Sequence, residues 1–374
     1  MRILFTRFPL ESAYGGAEVQ VLSLMEGLIQ HGHEVRFLGS CPTLLKECKR
    51  RKIPVTQLTI GPPPVTKWGA VNFLWRKKGM KKLLEQAVDN LPKADAVIML
   101  SLTEKLLLTR IFEYSNIRTF WLEHDRVGRW LTRNPWLQRL RKLSNNATTI
   151  VVSELSKKIY VNLGFPEDKV VAIPNGIDPD RFISNPNPNP NPNPNARPHP
   201  YYLHIGCISR LTKDKGVDLL IDAVKDIRGI NLTIVGSGRD ADQIKESIAN
   251  CQLPIALKSR VEDLCSFYKS TDLLVLPSRE HDPFGLVIAE AMMLEVPVVV
   301  TDACGIADYL EDGKDAIVVE AASVEKLKEG ILKLIDNADL RNSVAKAGFK
   351  TAQQQFTVNK MVKRYCKLLE DNKV

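Results

Sequence analysis

Two carboxylates eight positions apart, Asp282 and Glu290, frame the stretch HDPFGLVIAEAM at 281–292. Between them Phe284, Gly285 and Leu286 would open a helix, and free backbone N–H groups at such a start point at an anion. Upstream, LHIGCISRLTKDKG sets Arg210 and Lys215 in a loop between an apolar run and an amphipathic one. Two fixed cations there could neutralise a diphosphate. Gly236 lies in a glycine turn, TIVGSG, after another apolar run. Near the N-terminus, SAYGGAEVQ puts Gly15 and Gly16 at the start of a helix whose apolar positions are Val19, Leu22, Leu28 and Ile29. Glycine admits a phosphate or a second backbone at close range, and it equally suits a tight strand-to-helix turn. The sequence DAD at 240–242 imitates an acidic metal site, but its place after a glycine turn predicts the beginning of a helix.

These residues must be held by loops that follow strands. In the first half the expected strands are RILFTRF, EVRFLG, ADAVIML, RTFWLEH and TTIVVS; in the second they are PYYLHIG, NLTIVG, LPIALKS, DLLVLPS, PVVVT and AIVV. Amphipathic stretches separate them, the pattern of parallel sheets with crossover helices. In such folds ligands sit beyond the carboxyl ends of the strands, where the loops above fall. The run NPNPNPNPNPN at 185–195 divides the chain, since alternating proline removes backbone donors and forbids helix. The expected organisation is therefore an α/β domain over 1–182, an Asn/Pro-rich linker over 183–200 and a second α/β domain over 201–356.

At 374 residues the chain is long enough for two such domains, and 44% hydrophobic with 25% charged residues is the composition of a globular protein. No apolar run reaches the roughly 18 residues of a membrane span. MRILFTRF reads as a first buried strand and not as a signal peptide, so a cytoplasmic location is expected. The seven cysteines form no CxxC pair and read as buried thiols. Residues 1–182 hold 28 Lys and Arg against 17 Asp and Glu, whereas the remainder is slightly acidic. That asymmetry points to an anionic partner for the first half.

Taken in order, GGAE, IPNGIDPDRF, SRLTKDKG, IVGSG and PSREHDPFGLVIAEAM resemble the motifs of the family 4 glycosyltransferases of GT-B fold, and the resemblance covers nearly the whole chain. It implies an α/β architecture of two Rossmann-like, doubly wound domains facing a cleft, the first for the acceptor and the second for a nucleotide-activated sugar, with a return helix over 357–374 packed on the first domain. The implied reaction moves a hexose, with retention of configuration, from a UDP-sugar or GDP-sugar to a glycan, a lipid-linked acceptor or a cell-surface precursor. No further cofactor and no metal are expected.

Residue by residue, the resemblance assigns catalytic roles to His124, Asp282, Arg210 and Lys215. Donor binding falls to Gly15, Gly16, Arg210, Lys215, Gly236, Val261, Phe284, Gly285, Leu286 and Glu290. Of the two acids, Glu290 takes the ribose hydroxyls and Asp282 the donor sugar, standing where the family has glutamate. His124, in WLEHD, matches the histidine that faces the donor sugar; alone, a histidine there would more often be structural. Negative charge that grows on the leaving phosphate needs positioned donors, a role for Arg210, Lys215 and the helix start near Gly285. Asp282, and Glu295 where the family usually has glycine, also motivate a non-catalytic sugar-nucleotide-binding protein, and another GT-B enzyme such as an epimerase or phosphorylase is the remaining alternative.

Two basic segments bear on the acceptor. In FLWRKKGMKKLLEQAVDNL the residues Met80, Leu83, Leu84, Ala87, Val88 and Leu91 form one helical stripe, with Lys77, Lys78, Lys81 and Lys82 elsewhere. RVGRWLTRNPWLQRLRKL adds Trp130 and Trp136 among Arg126, Arg129, Arg133, Arg139, Arg141 and Lys142, with Asn134 and Pro135 as cap and first helical residue. Basic and aromatic residues together suit an anionic membrane surface, hence a peripheral position on the inner membrane face. Solvated helix faces with inward tryptophans are the competing reading. No nucleic-acid recognition module is visible.

Overall fold

The computed structural model describes residues 1–9, 15–115, 117–124, 135–183 and 202–371. They fall into two compact units, Met1–Gly176 with Val358–Val374, and Ile177–Thr357.

The first unit is built on seven parallel strands, β1 (Arg2–Arg7), β2 (Glu34–Gly39), β3 (Val55–Gln57), β4 (Ala96–Met99), β5 (Arg118–Glu123), β6 (Thr148–Val151) and β7 (Val170–Ala172), in the order β3-β2-β1-β4-β5-β6-β7. Strands covered on both faces read as continuous apolar runs, and β4 is buried at all four positions. The order reverses at β1, which pairs with β2 on one side and β4 on the other, so ligand-facing loops are those after β1 and β4. The first four helices of this unit are α1 (Gly16–Gln30), α2 (Pro42–Arg50), α3 (Lys67–Asp89) and α4 (Leu102–Tyr114).

One sheet face packs Phe5, Ile98 and Phe120 against α1 and the C-terminal helix, Val358–Glu370, through Met361, Val362, Tyr365 and Leu369. Gly27 allows this: a side chain at that position would overlap Val362. The other face packs Leu4, Val97 and Trp121 against Phe73, Met80 and Leu84 of α3 and Leu108 of α4. On α1, Leu22 and Leu28 are buried as expected, but Val19 is only half-buried and Ile29 is exposed; Val21, Leu24 and Met25 complete the core in their place. Ile29 is the last residue but one of the helix.

The second unit has six parallel strands, β8 (Leu203–Ile208), β9 (Ile230–Val235), β10 (Ile255–Lys258), β11 (Leu273–Leu276), β12 (Val298–Thr301) and β13 (Ile317–Val319), in the order β10-β9-β8-β11-β12-β13. Its reversal lies at β8, between β9 and β11. Ile205, Leu232, Leu273, Val275 and Val299 meet Leu220, Val224, Ile331 and Leu334 from flanking helices.

All eleven expected strands are present. Two more, β3 and β7, are three-residue edge strands whose length is too short to show a period. The chain passes between units at Gly176 and Ile177, before the linker expected at 183–200, of which all but Ile183 lies outside the described residues. The reason is local: Gly176 is clamped by Gln20, which accepts its N–H at 2.9 Å and donates to its carbonyl at 2.8 Å, whereas Ile177 donates to the Phe356 carbonyl at 2.6 Å. Among the described residues, no helix is long and apolar enough to cross a membrane.

Candidate functional site

In the second unit the site residues collect at the strand ends around the reversal point. Arg210 follows β8 and is exposed. Lys215 ends a single 3-10 turn, Lys213–Lys215, before the helix Val217–Val224. Lys215 is nearly buried, and its Nζ lies 2.5 Å from Oδ2 of Asp282, in the loop after β11. Ser278 Oγ donates to the same oxygen at 3.2 Å. The Asp282 backbone is fixed as well, donating to the Ala303 carbonyl at 2.8 Å and accepting from the Gly305 N–H at 2.9 Å. The expected separation of roles, Lys215 on the diphosphate and Asp282 on the sugar, thus meets a direct ion pair between the two.

Gly285, at φ +92°, caps the helix Leu286–Met292; a side chain there would overlap the Cys304 sulphur. Only glycine is unstrained in that left-handed conformation, and no side chain caps the helix start. Leu286 is half-buried. Phe284 is turned inward, its ring 5.6 Å from that of Phe356, so the group it can offer a ligand is backbone and not side chain. A turn further on, Glu290 is nearly buried and accepts the Tyr268 hydroxyl at 2.7 Å, with the Arg181 guanidinium 3.6 Å from its other oxygen. Burial pushes the Glu290 carboxyl up, while Tyr268 and Arg181 pull it down. Burial, reinforced by the Glu290 charge, pushes the Tyr268 hydroxyl well above the usual tyrosine range.

Gly236 passes the Ser209 carbonyl so closely that no side chain would fit, which holds the β9 loop against the β8 loop that carries Arg210. Val261, half-buried, follows β10. Asp240 of the DAD sequence is occupied by the Lys213 N–H at 2.6 Å, and a helix begins at Ala241. Sequence reasoning did not find Tyr268 as a site residue, because only the fold brings it to Glu290, and Ser278, four residues before Asp282 in the quoted PSREHDPFGLVIAEAM, had no assigned role. Arg181 stood inside the quoted IPNGIDPDRF without an assigned role.

In the first unit the corresponding loops gather a second set. The Gly15 N–H donates to Glu18 Oε2 at 3.2 Å, and Gly16 opens α1. Arg7, at the end of β1, pairs with Glu18 at 2.7 Å. Lys105 of α4 pairs with Glu123 at 2.7 Å, both largely buried, next to His124 at the end of β5. Both His124 ring nitrogens are shut off from solvent and make no hydrogen bond with a described residue. Burial pushes the imidazole down to about 3, and the Arg7 and Lys105 charges act in the same direction. A neutral histidine results, able to offer a donor on one nitrogen and an acceptor on the other.

The basic segment after His124 is partly beyond description. Arg126, Arg129, Trp130, Arg133 and Asn134 lie outside the described residues. Pro135 does not begin the helix, which runs Leu137–Leu143 with Trp136 at its cap. Trp136 packs inward, edge-on to Phe73 at 5.2 Å. Arg139 donates to the Leu106 carbonyl at 3.2 Å and Arg141 to that of Leu163, so both serve the fold. On α3 the stripe holds for Met80 and Leu84, but Leu83 is 45% exposed.

A family model described as Glycosyltransferase Family 4 matches residues 14–181, and one described as Glycosyl transferases group 1 matches residues 196–351. An uncharacterized glycosyltransferase of Methanocaldococcus jannaschii is 33% identical over 167 residues, 44% of this chain and 47% of the relative. The capsular polysaccharide biosynthesis glycosyltransferase CapM of Staphylococcus aureus is 34% identical over 160 residues, 41% of this chain and 42% of that protein. The chain thus spans about half the length of the curated relatives it matches. Among solved structures, HepE of Anabaena in complex with UDP superposes with a TM-score of 0.81 at 20% identity, covering 99% of both chains. With UDP-glucose bound, HepE gives a TM-score of 0.78 at 19% identity, again over 99% of both. These structural neighbours have the two-domain α/β GT-B fold expected from the sequence.

Proposed function

Because the chain belongs to the family 4 glycosyltransferases of GT-B fold, we propose that it moves a hexose from a nucleoside diphosphate sugar to a glycan or lipid-linked precursor, with retention of configuration and without a metal. The observation that carries this reading is the grouping at the strand ends of the second unit: Arg210, Lys215, an uncapped glycine helix start and the buried Glu290. UDP and UDP-glucose are what HepE was solved with, and they are the first donors to test here.

Glu290 takes the ribose hydroxyls, each bond charge-assisted. Arg210, Lys215 and the N–H groups at Leu286 and Val287 take the diphosphate. As the bond from the anomeric carbon to the phosphate oxygen breaks, charge builds on that oxygen and these donors stabilise it. Two cations can do what a divalent metal does elsewhere. The acceptor hydroxyl attacks the same face, forms the new bond to the anomeric carbon and passes its proton to the departing phosphate oxygen. Asp282, held by Lys215 and Ser278, orients the sugar and keeps the Lys215 ammonium in place between turnovers. The first unit takes the acceptor, and His124, a neutral hydrogen-bonding group, faces the donor sugar.

A thermal-shift series with UDP, GDP, ADP and their sugars, each in excess EDTA, tests the donor class. A ligand that binds only the folded state raises its melting temperature by mass action. One nucleoside diphosphate, with its sugar, should stabilise the protein in EDTA; stabilisation by none, or only after a divalent metal is restored, would contradict the proposal.

A further inference from the structure

Helix α3 has two apolar faces. One holds Phe73, Met80 and Leu84 in the core of the first unit. The other, opposite by helical geometry, carries Trp68, Val71 and Trp75 at i, i+3 and i+7 and continues into Lys78 and Lys82. Trp68 is 83% exposed and Trp75 84%, with Val71 at 52% and Leu74 at 51% beside them. A helix that only covers a core needs one apolar stripe, so the second requires another explanation. A contiguous exposed apolar patch marks an interaction surface.

The charges around this stripe select the partner. From residue 67 to residue 84 there are six basic residues and no acidic one. Arg76 is occupied by the Ile60 carbonyl at 2.9 Å and Lys81 by Glu85 at 3.4 Å. Lys78 and Lys82 are exposed and form no ion pair with a described residue. Two copies meeting face to face would oppose like charges, and an acidic protein groove would not by itself call for two tryptophans standing clear of the surface. Tryptophan sits at a headgroup boundary, apolar body inward and N–H in the wet layer, while lysine reaches lipid phosphates. We infer that the outer face of α3 docks on an anionic lipid bilayer, with Trp68 and Trp75 entering the interface and Lys78 and Lys82 on the headgroups. This deepens the reading of a membrane-carried acceptor and rests on it only for where the acceptor is; donor binding is independent of it.

The full chain should be sedimented with vesicles of phosphatidylcholine alone and of phosphatidylcholine with phosphatidylglycerol, at 0.1 M and 0.5 M salt. Binding to the anionic vesicles should exceed that to neutral ones at least tenfold and fall in high salt, as screening shortens from about 10 Å at 0.1 M. Both W68A/W75A and K78E/K82E should lose at least tenfold in partition, with circular dichroism and nucleoside diphosphate affinity unchanged. Wild-type binding unaffected by either pair, equal binding to neutral vesicles, or a dimer in sedimentation velocity that W68A/W75A abolishes would overturn the inference. Vesicle binding without nucleoside diphosphate binding would instead count against the donor reading and leave this surface standing.

Discussion

Lys215 and Asp282, 67 residues apart, meet at 2.5 Å beside the uncapped helix start at Gly285. The shorter acid in place of the family's glutamate is thus engaged from within the protein, by a lysine that the same proposal assigns to the donor diphosphate. The pair is nearly buried, where removing one partner strands the other charge.

Asp282→Ala should therefore lower the stability of the free protein by about 3 kcal/mol, the scale for breaking a buried pair. The donor diphosphate supplies the missing negative charge, so saturating UDP or GDP should raise the melting temperature of the variant by more than that of the wild type. Calorimetric scans with and without ligand check this. Equal ligand-induced shifts would mean that Lys215 does not meet the diphosphate.

Tyr268 holds one oxygen of Glu290 in a buried hydrogen bond. Tyr268→Phe removes a donor that lowers the carboxyl's pKa while burial continues to raise it. The carboxyl of the variant should take up its proton at higher pH than in the wild type. Because the ribose hydroxyls need the ionised form, nucleoside diphosphate affinity should fall on acidification in both proteins, and the fall should begin at higher pH in Tyr268→Phe. At neutral pH the loss should be about tenfold or less, the scale of one hydrogen bond of about 1 kcal/mol. Titration calorimetry at several pH values reads both effects; identical pH profiles would remove Tyr268 from the site.

His124 is held neutral by burial, with the imidazole pushed down to about 3. A folded-state value below the unfolded one means that the unfolded chain binds the extra proton between about pH 6.5 and about 3. Stability contributed by neutral His124 is thus present above the unfolded value and is lost as pH falls through that window. Imidazole chemical shifts should show no protonation of His124 down to pH 5 in the folded protein. In His124→Phe the decline of stability between pH 6.5 and 4 should be shallower than in wild type. A normal histidine titration near 6.5 would contradict this.

The strands and the order of the site loops were legible because apolar runs such as ADAVIML and DLLVLPS are continuous and bounded, as strands buried on both faces must be. Arg210, Lys215 and Gly285 were readable as site candidates for the same reason, each standing in a loop or helix start just beyond such a run, whereas Glu290, a turn inside the helix Leu286–Met292, took its role from the family resemblance. The Lys215–Asp282 pair was not legible, since its members belong to different loops that only the parallel sheet brings together. Tyr268 stands 22 residues before Glu290, and nothing local marks its hydroxyl as a partner of that carboxylate. On α3 the inner stripe followed the helical period, but Leu83 was placed on it one position off the buried line. The outward tryptophans went unmarked because Trp68 and Trp75 differ from core tryptophans only in which way the helix turns them. Trp136 shows the opposite case, packed on Phe73.

The proposal that the second unit holds a nucleoside diphosphate sugar through Glu290 is tested most directly by calorimetric titration of UDP and GDP into wild type and Glu290→Ala in EDTA. One of the two diphosphates should bind the wild type at one equivalent and bind the variant at least tenfold more weakly, since charge-assisted hydrogen bonds contribute about 1.5–3 kcal/mol each. The intact donor should lose as much as the free diphosphate. Undiminished binding to Glu290→Ala, or no binding of either diphosphate to the wild type, would contradict the assignment.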